Sequence, residues 1–445
     1  MRTNARRIFG ANLLRVLTAS IALAAGASAQ SIWYVDDSAP PGGTGLSWTN
    51  AFDSIDAALV AATSTDQIWV AAGLYRPRTL TIPGDPRSAS FVMEGRHLFG
   101  GFAGWEVSLA QRVGQYRATI LSGDLGIRGN PGDNAYHVVT AHRTVELDGF
   151  MIRDGNALGS VVANGGGVYG EVVSTTGGGQ GPTLLLSRCA FVGNLASNRG
   201  GALYAQLAHV LLESCYFGGN ESNRGGALCV NAATLDAYNC QFIGNRAVQR
   251  GGAIFFYSDN GTPPRNRFSN CVFARNQADE GGAAYLLGAQ FTSGCATWAN
   301  CTFTQNTALI QGGAILAHDG PIDPVNQIQN CIIWGNSAPL DPNLSGLAQP
   351  VFSIVQGWVG GPASVYDMDP LFVDAAAGNY RVQPGSPAID GGSADYLRTD
   401  LADLDQNGIT GEYVPIDLGG RPRTVDDPTV ALGIPPYLDM GAYEH

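Results

Sequence analysis

Lysine does not occur in this chain: all 25 basic residues are arginine. That absence removes Schiff-base chemistry, a phosphate-loop lysine and a lysine general base. Charge of any kind is scarce, at 14% of 445 residues, and the balance is acidic, with a formal net charge of −12. An acidic chain is a poor match for nucleic acid or an anionic membrane surface. No G-x-S-x-G stands in it, and no carboxylate series of the kind expected of a polygalacturonase. The six histidines (His97, His137, His142, His209, His318 and His445) show no metal-ligand spacing. Apolar runs long enough to cross a bilayer are also missing.

What is abundant is glycine, 60 residues, beside 45% apolar content. That mixture speaks for turns and stacked strands around a core rather than for disorder.

Residues 1–29 have the form of a secretory signal. Arg2, Arg6, Arg7 and Arg15 form a basic region, residues 16–26 an apolar stretch too short to span a membrane, and Ala27-Ser28-Ala29 a cleavage site. Arg6-Arg7 admits twin-arginine export; the general secretory route is the expectation. The mature protein is therefore expected outside the cytoplasm, extracellular or at the cell surface, with the periplasm the other option.

Residues 189–336 carry one pattern six times: CAFVGN, CYFGGN, CQFIGN, CVFARN, CTFTQN and CIIWGN, starting at Cys189, Cys215, Cys240, Cys271, Cys301 and Cys331. Five copies continue into Gly-Gly-Ala, at Gly200, Gly225, Gly251, Gly281 and Gly312. Successive cysteines lie 26, 25, 31, 30 and 30 residues apart, a period that implies stacked repeats. Cys and the aromatic two positions on share one face of a strand. Asn, three further on, suits a bend because it tolerates unusual backbone angles. The paired glycines allow positive φ or close backbone approach before a second strand. Two short strands cannot bury their own apolar face, but like residues stacked at about 4.8 Å form a continuous core, Phe above Phe and Asn above Asn. The fold class predicted is all-β, a right-handed parallel β-helix with a short N-terminal capping helix and an irregular C-terminal cap.

The six motif cysteines should form a buried thiol ladder, since in-register neighbours stand further apart than a disulfide's roughly 3.8 Å Cβ separation. Cys229 and Cys295 fall outside the series, and Cys295 meets Cys301 only if the intervening excursion folds back.

These repeats resemble the FxxN and GGA[ILV] repeats of the chlamydial polymorphic outer-membrane proteins, over about 150 of the 445 residues. The resemblance implies an exported, surface-exposed β-helix with a role in adhesion. Such proteins end in a membrane-embedded β-barrel, for which no stretch here is a candidate.

Before the repeats, apolar Phe52, Ile55, Leu59 and Ala62 fall at helical spacing behind Thr49-Asn50, so residues 51–62 read as a helix covering the open end of the stack. Early rungs are expected at 90–93, 97–102, 119–121, 137–140, 145–152 and 166–169. The opening WYVDDSA and the segments GGFAGWE and LDGFMIRDGNA resemble those of exported β-helix proteins of planctomycetes and related bacteria. So do DPLFVDAAAGNYRVQPGSPAIDGG from Asp369 and DMGAYE from Asp439. The organisation expected is 1–29 signal, 30–112 N-terminal cap and first rungs, 113–356 β-helix with repeats at 189–338, and 357–445 acidic C-terminal cap. With no apolar tail or sorting motif before His445, free secretion or non-covalent surface attachment is expected.

Within the acidic cap, Asp403, Asp405 and Asn407 surround Gly408 in a D-x-D-x-N-G pattern. Three oxygen side chains around a glycine turn suit calcium in a structural role. The twelfth position is Val414 rather than an acid, so Glu412 or Asp417 must substitute. The alternative is an acidic, solvated loop closed by Asx turns.

As catalytic candidates the sequence offers Asp148 and Asp154 with Arg153, or Asp236 near Arg250. Tyr204, Phe255, Phe256, Tyr257 and Tyr285 follow the glycine turns and could form a sugar platform or lie partly in the core. The function expected is non-catalytic adhesion or binding to a polysaccharide or cell-surface ligand. The alternative is a carbohydrate-active β-helix enzyme, a polysaccharide lyase or hydrolase.

Overall fold

The computed structural model describes residues 30–112, 117–159, 163–170, 181–258, 265–287, 296–318, 328–346, 350–359, 361–428, 430 and 437–445. The signal-like residues 1–29 and Cys295 lie outside them. The chain winds through four parallel sheets of ten, eleven, six and nine strands, designated I, II, III and IV. Each sheet pairs a strand with its counterpart one turn on, as the strands Thr234–Tyr238 and Asn266–Ser269 do in sheet I. This is the predicted right-handed parallel β-helix.

One rung shows why the motif repeats. After Thr234–Tyr238 in sheet I comes Asn239 with φ of 52°, then Gln241–Ile243 in sheet II. Gly244, at φ 63°, turns the chain into Arg246–Arg250 of sheet III. Gly251 and Gly252 then lead to Ile254–Tyr257 of sheet IV. The two glycines have different tasks. Gly251 has φ of 64°, whereas a Cβ on Gly252 would stand 2.1 Å from the Gly282 carbonyl oxygen. Only glycine satisfies both demands.

Inward-facing side chains form the core. Phe191, Phe217, Phe242, Phe273 and Phe303 stack with neighbouring centroids 4.5 to 4.9 Å apart and rings within 5° of parallel. Full burial of one such ring is worth about 2–3 kcal/mol. Beside them the six motif cysteines form the expected column of buried thiols. Cys229 is a buried thiol too, but on the outward face of sheet IV, between Tyr204 and Phe255.

The motif asparagines serve differently from the expectation. The left-handed residue is the one before each of them: Gly193, Gly219, Gly244, Arg275, Gln305 and Gly335. The asparagines point inward and bond one another. Asn245 Nδ2 donates to Asn276 Oδ1 at 3.0 Å and to the Phe217 carbonyl at 3.0 Å, while Asn276 Oδ1 also accepts the Asn245 backbone N–H at 2.9 Å. The pattern repeats through Asn194, Asn220, Asn306 and Asn336.

At the N-terminal end, a strand Ile32–Val35 precedes the helix and pairs with Gln67–Ala71, so sheet I begins two strands before the expected 97–102. The helix is Ile55–Ala61, shorter than predicted and entered from Ser54, because Trp48–Asn50 forms a separate 3-10 turn. Ile55 and Ala58 are buried against the first strands, which covers the end of the stack. The expected strand 145–152 is two, Val145–Asp148 and Met151–Arg153, separated by Gly149 at φ 85°.

Among the described residues of 357–445, Val365–Tyr366 adds the last strand of sheet II, pairing with Ser353–Val355; the rest is irregular apart from a small antiparallel pair, Phe372–Asp374 with Asn379–Val382, and a 3-10 turn. They lie along the side of the solenoid. The residues preceding four of the motif cysteines hold them there: Asn239 Nδ2 donates to the Asp417 carbonyl, Asn270 to Ile416, Asn300 to Asp439 and Asn330 to Ser393. Among the described residues, no helix is long and apolar enough to cross a membrane.

Candidate functional site

Alternation along sheet I puts every second side chain outside, and two outward columns cross its rungs. One contains Glu146, Leu185, Leu211, Asp236, Arg267 and Thr297. The other contains Asp148, Ser187, Glu213, Tyr238, Ser269, Ala299 and Gln329. Register thus gathers the charged residues of the solenoid wall that the sequence leaves scattered.

Two buried carboxylates organise this face. Asp148, with 5% of its side chain exposed, is bracketed by Arg112 Nη2 at 2.8 Å and by both Nε (2.9 Å) and Nη2 of Arg188. Arg188 reaches on to Glu213 at 3.6 Å, and the Ser187 hydroxyl donates to Glu213 at 3.0 Å. Asp236, with 3% exposed, is held in a fork by Arg267 Nε and Nη2 and meets His209 Nε2 at 3.4 Å. Burial pushes the Asp236 carboxyl up, but the bonds from His209 and Arg267 outweigh it and keep the carboxyl below the usual range. The side chains of Arg188 and Arg267 remain 40% and 46% exposed at the rim.

The catalytic pairs suggested by the sequence are not assembled. Asp154 accepts from Ser122 and pairs with its neighbour Arg153 in the turn after sheet II, away from the Arg112 and Arg188 that hold Asp148. Arg250 belongs to sheet III and pairs with Glu280 across a rung at 3.0 Å, so Asp236 takes Arg267 instead. Sequence distance gave the wrong partner because neighbours in a solenoid are a full rung apart. The signal that could have found them is equal offset from the motif cysteines: Asp236 is four before Cys240, and Arg267 four before Cys271.

The aromatic platform is likewise not an exposed one. Tyr204, Phe255 and Tyr285 are stacked in register on the outer side of sheet IV with Tyr257 beside them, while Phe256 lies in the core. All five are 0–4% exposed. Arg199 lies over the Tyr257 ring at 4.4 Å and Arg250 over Tyr285 at 4.8 Å. His137 is structural in the same way. His137 Nδ1 bonds the Gly165 carbonyl oxygen at 2.9 Å and its ring stacks on Tyr169; burial drives it down to about 4.

The acidic loop of the cap is laid on this same face. Leu211 and Tyr238 of sheet I pack against Ala402, Leu404 and Val414, which explains an apolar residue at the twelfth loop position. Asp405 and Glu412 converge with Asp400, their ligand oxygens all within 4.8 Å of one another. Asn407 Nδ2 bonds both Asp405 (3.0 Å) and Glu412 (2.8 Å). Asp403, at φ 54°, turns instead to the Gly408 N–H. Asp400 is fully buried; burial raises its carboxyl above the usual range, against bonds from the Leu404 and Ala402 N–H groups. Asp417 is engaged elsewhere in the cap, accepting from the backbone N–H groups of Arg421 and Glu444. Three converging carboxylates are a donor set of the kind a hard cation takes, whereas Asn407 Oδ1 is turned away to accept the Ile409 N–H at 2.7 Å.

A family model described as a right handed beta helix region matches residues 139–345. Among solved structures, a pectate lyase, Pel9A, is similar at a TM-score of 0.45 and 12% identity, covering 94% of this chain and 97% of that chain. No curated protein matches the chain.

Proposed function

We propose that the protein is an exported, non-catalytic β-helix protein of the extracellular space or cell surface, binding glycan through the outer face of sheet I. The observation that carries this reading is the line of ion pairs across that face. Arg188 is held by Asp148 and Glu213 and Arg267 by Asp236, while both arginine side chains stay partly open to solvent. Prefixed charged donors and acceptors suit a hydroxyl-rich polymer laid along the rungs. A general acid needs a carboxyl poised near the working pH, and Asp236 is displaced the opposite way. An adhesive role, as the repeat resemblance implies, is the biological form of this reading.

One observation favours the enzyme alternative: His209, one-third exposed, faces a buried carboxylate, an arrangement that can orient a general base. A glycan array run beside a polysaccharide-depolymerisation screen separates the two. The binder is expected to retain glycan without new reducing ends or unsaturated products, and Arg267→Ala to weaken retention at least tenfold. Product formation abolished by His209→Ala would transfer the assignment to the enzyme.

A structural calcium in the 400–412 loop, held by Asp400, Asp405 and Glu412, belongs to the same proposal. It would fix the cap where it meets the binding face.

A further inference from the structure

Arg398 stands out on this face because, among the described residues, no carboxylate forms an ion pair with it. The cap carries it across the last rungs of sheet I, where Nη2 donates to Gln329 Oε1 at 3.0 Å. Its backbone is pinned: the Arg398 carbonyl accepts from the Val414 N–H at 2.8 Å, and the next carbonyl, that of Thr399, accepts the Tyr238 hydroxyl at 3.1 Å. Nε is buried and has no hydrogen-bond partner. The charged or ionisable groups that act on the guanidinium are Arg267, Tyr238 and Cys331, and the strongest of them, Arg267, is itself a cation.

The surroundings are donors as well. Ser269 follows Tyr238 in the outward column that ends at Gln329, and its hydroxyl is buried without a partner. Thr297 is the register neighbour of Arg267, and its hydroxyl is also buried and unpartnered. Arg267 is neutralised by Asp236, so the group of Arg267, Asp236 and Arg398 is one negative charge short. A half-buried guanidinium facing a second one, with two idle hydroxyls beside them, is unfavourable unless an anion completes it.

We propose that Arg398 and Arg267, with the Ser269 and Thr297 hydroxyls, form a binding site for one oxyanion of a ligand, a carboxylate or a sulfate group. Where the glycan reading holds, the site makes the preferred glycan an acidic one, and to that extent the inference rests on it.

The test uses the whole chain and four probes: a hexuronic acid monosaccharide, its oligosaccharide, sodium sulfate, and a neutral oligosaccharide of equal length. Thermal melting and titration calorimetry are read for wild type, Arg398→Gln and Thr297→Val. The acid sugar or sulfate should raise the wild-type melting temperature saturably, and the two arms tell carboxylate from sulfate. Arg398→Gln should weaken that binding at least tenfold, and Thr297→Val severalfold. Without any anion, Arg398→Gln should melt no lower than wild type, since no ion pair is lost. Were Arg398→Gln to fail to fold, Thr297→Val decides alone. A wild type indifferent to both anions, or anion binding unaltered in every folded variant, overturns the site. Monosaccharide and sulfate binding lost with Arg398, while no glycan is retained on an array, would leave the site and remove the glycan reading. Glycan retention unchanged by Arg398→Gln would do the reverse.

Discussion

Asn276 shows how much one side chain carries in this fold. Its Oδ1 accepts two bonds from Asn245, and its Nδ2 donates to Asn306 Oδ1 and the Phe242 carbonyl, each near 2.9–3.0 Å, in a fully buried position. Replacement by alanine strands donors on one rung and acceptors on its neighbours. Asn276→Ala is expected to cost about 2–4 kcal/mol in a urea titration. Asn276→Asp should cost more, because a carboxylate cannot donate upward and brings a buried charge. A loss under about 0.5 kcal/mol for Asn276→Ala would show that the ladder is not a source of stability. The sequence makes the stacking of these residues legible, since Asn recurs at one offset from Cys. It does not reveal that the left-handed angle belongs to the residue before, because four glycines, an arginine and a glutamine share that position without a common side-chain type.

At the scale of elements, the strands of the repeat are legible from period-two patterning, and the double glycine marks its turn correctly. The helix is mislaid by a few residues because Thr49-Asn50 is a good capping signal used for a 3-10 turn. The ion-pair face of sheet I is illegible for a different reason. Its partners lie one rung apart, and the variable excursions hide the common offset. The acidic loop is half legible. The D-x-D-x-N-G turn is there, but Asp400, which joins Asp405 and Glu412, lies before the pattern begins. If this loop holds calcium, adding the ion at millimolar concentration should raise the melting temperature by several degrees and EDTA should reverse it. Asp405→Asn should abolish the response. Equal melting temperatures with ion and with chelator would reduce the loop to Asx turns.

At the scale of the whole molecule, the cap first adds Val365–Tyr366 to the end of sheet II and then runs back as a lateral strap. The asparagines at 239, 270, 300 and 330 give it one bond per rung over four turns. Tyr238 and Leu211 lie beneath it. Deleting residues 390–445 is therefore expected to uncover apolar surface along the wall. It should lower the melting temperature of the solenoid and promote self-association in light scattering, with circular dichroism still of β type. A truncated chain that stays monomeric with an unchanged melting temperature would show the strap to be dispensable. The Asn-Cys dipeptides at these four rungs, against Arg-Cys and Ser-Cys at the first two, are the trace of this contact in the sequence.

The asparagine column has one more property. Every amide in it sends one Nδ2 hydrogen to the next asparagine's Oδ1 and the other to a carbonyl of the preceding rung, from Asn194 to Asn336, and the final forward donation goes to Asn343, whose own Nδ2 ends on the Gln356 carbonyl. The stack is therefore a vector. A half-built solenoid ending at any rung presents an N–H pair waiting for the next carbonyl oxygen, so each completed turn is a template for its successor. Aligned amides polarise one another, so the column should strengthen as it lengthens. Assembly from the helix-covered end toward the cap is the direction this chemistry favours.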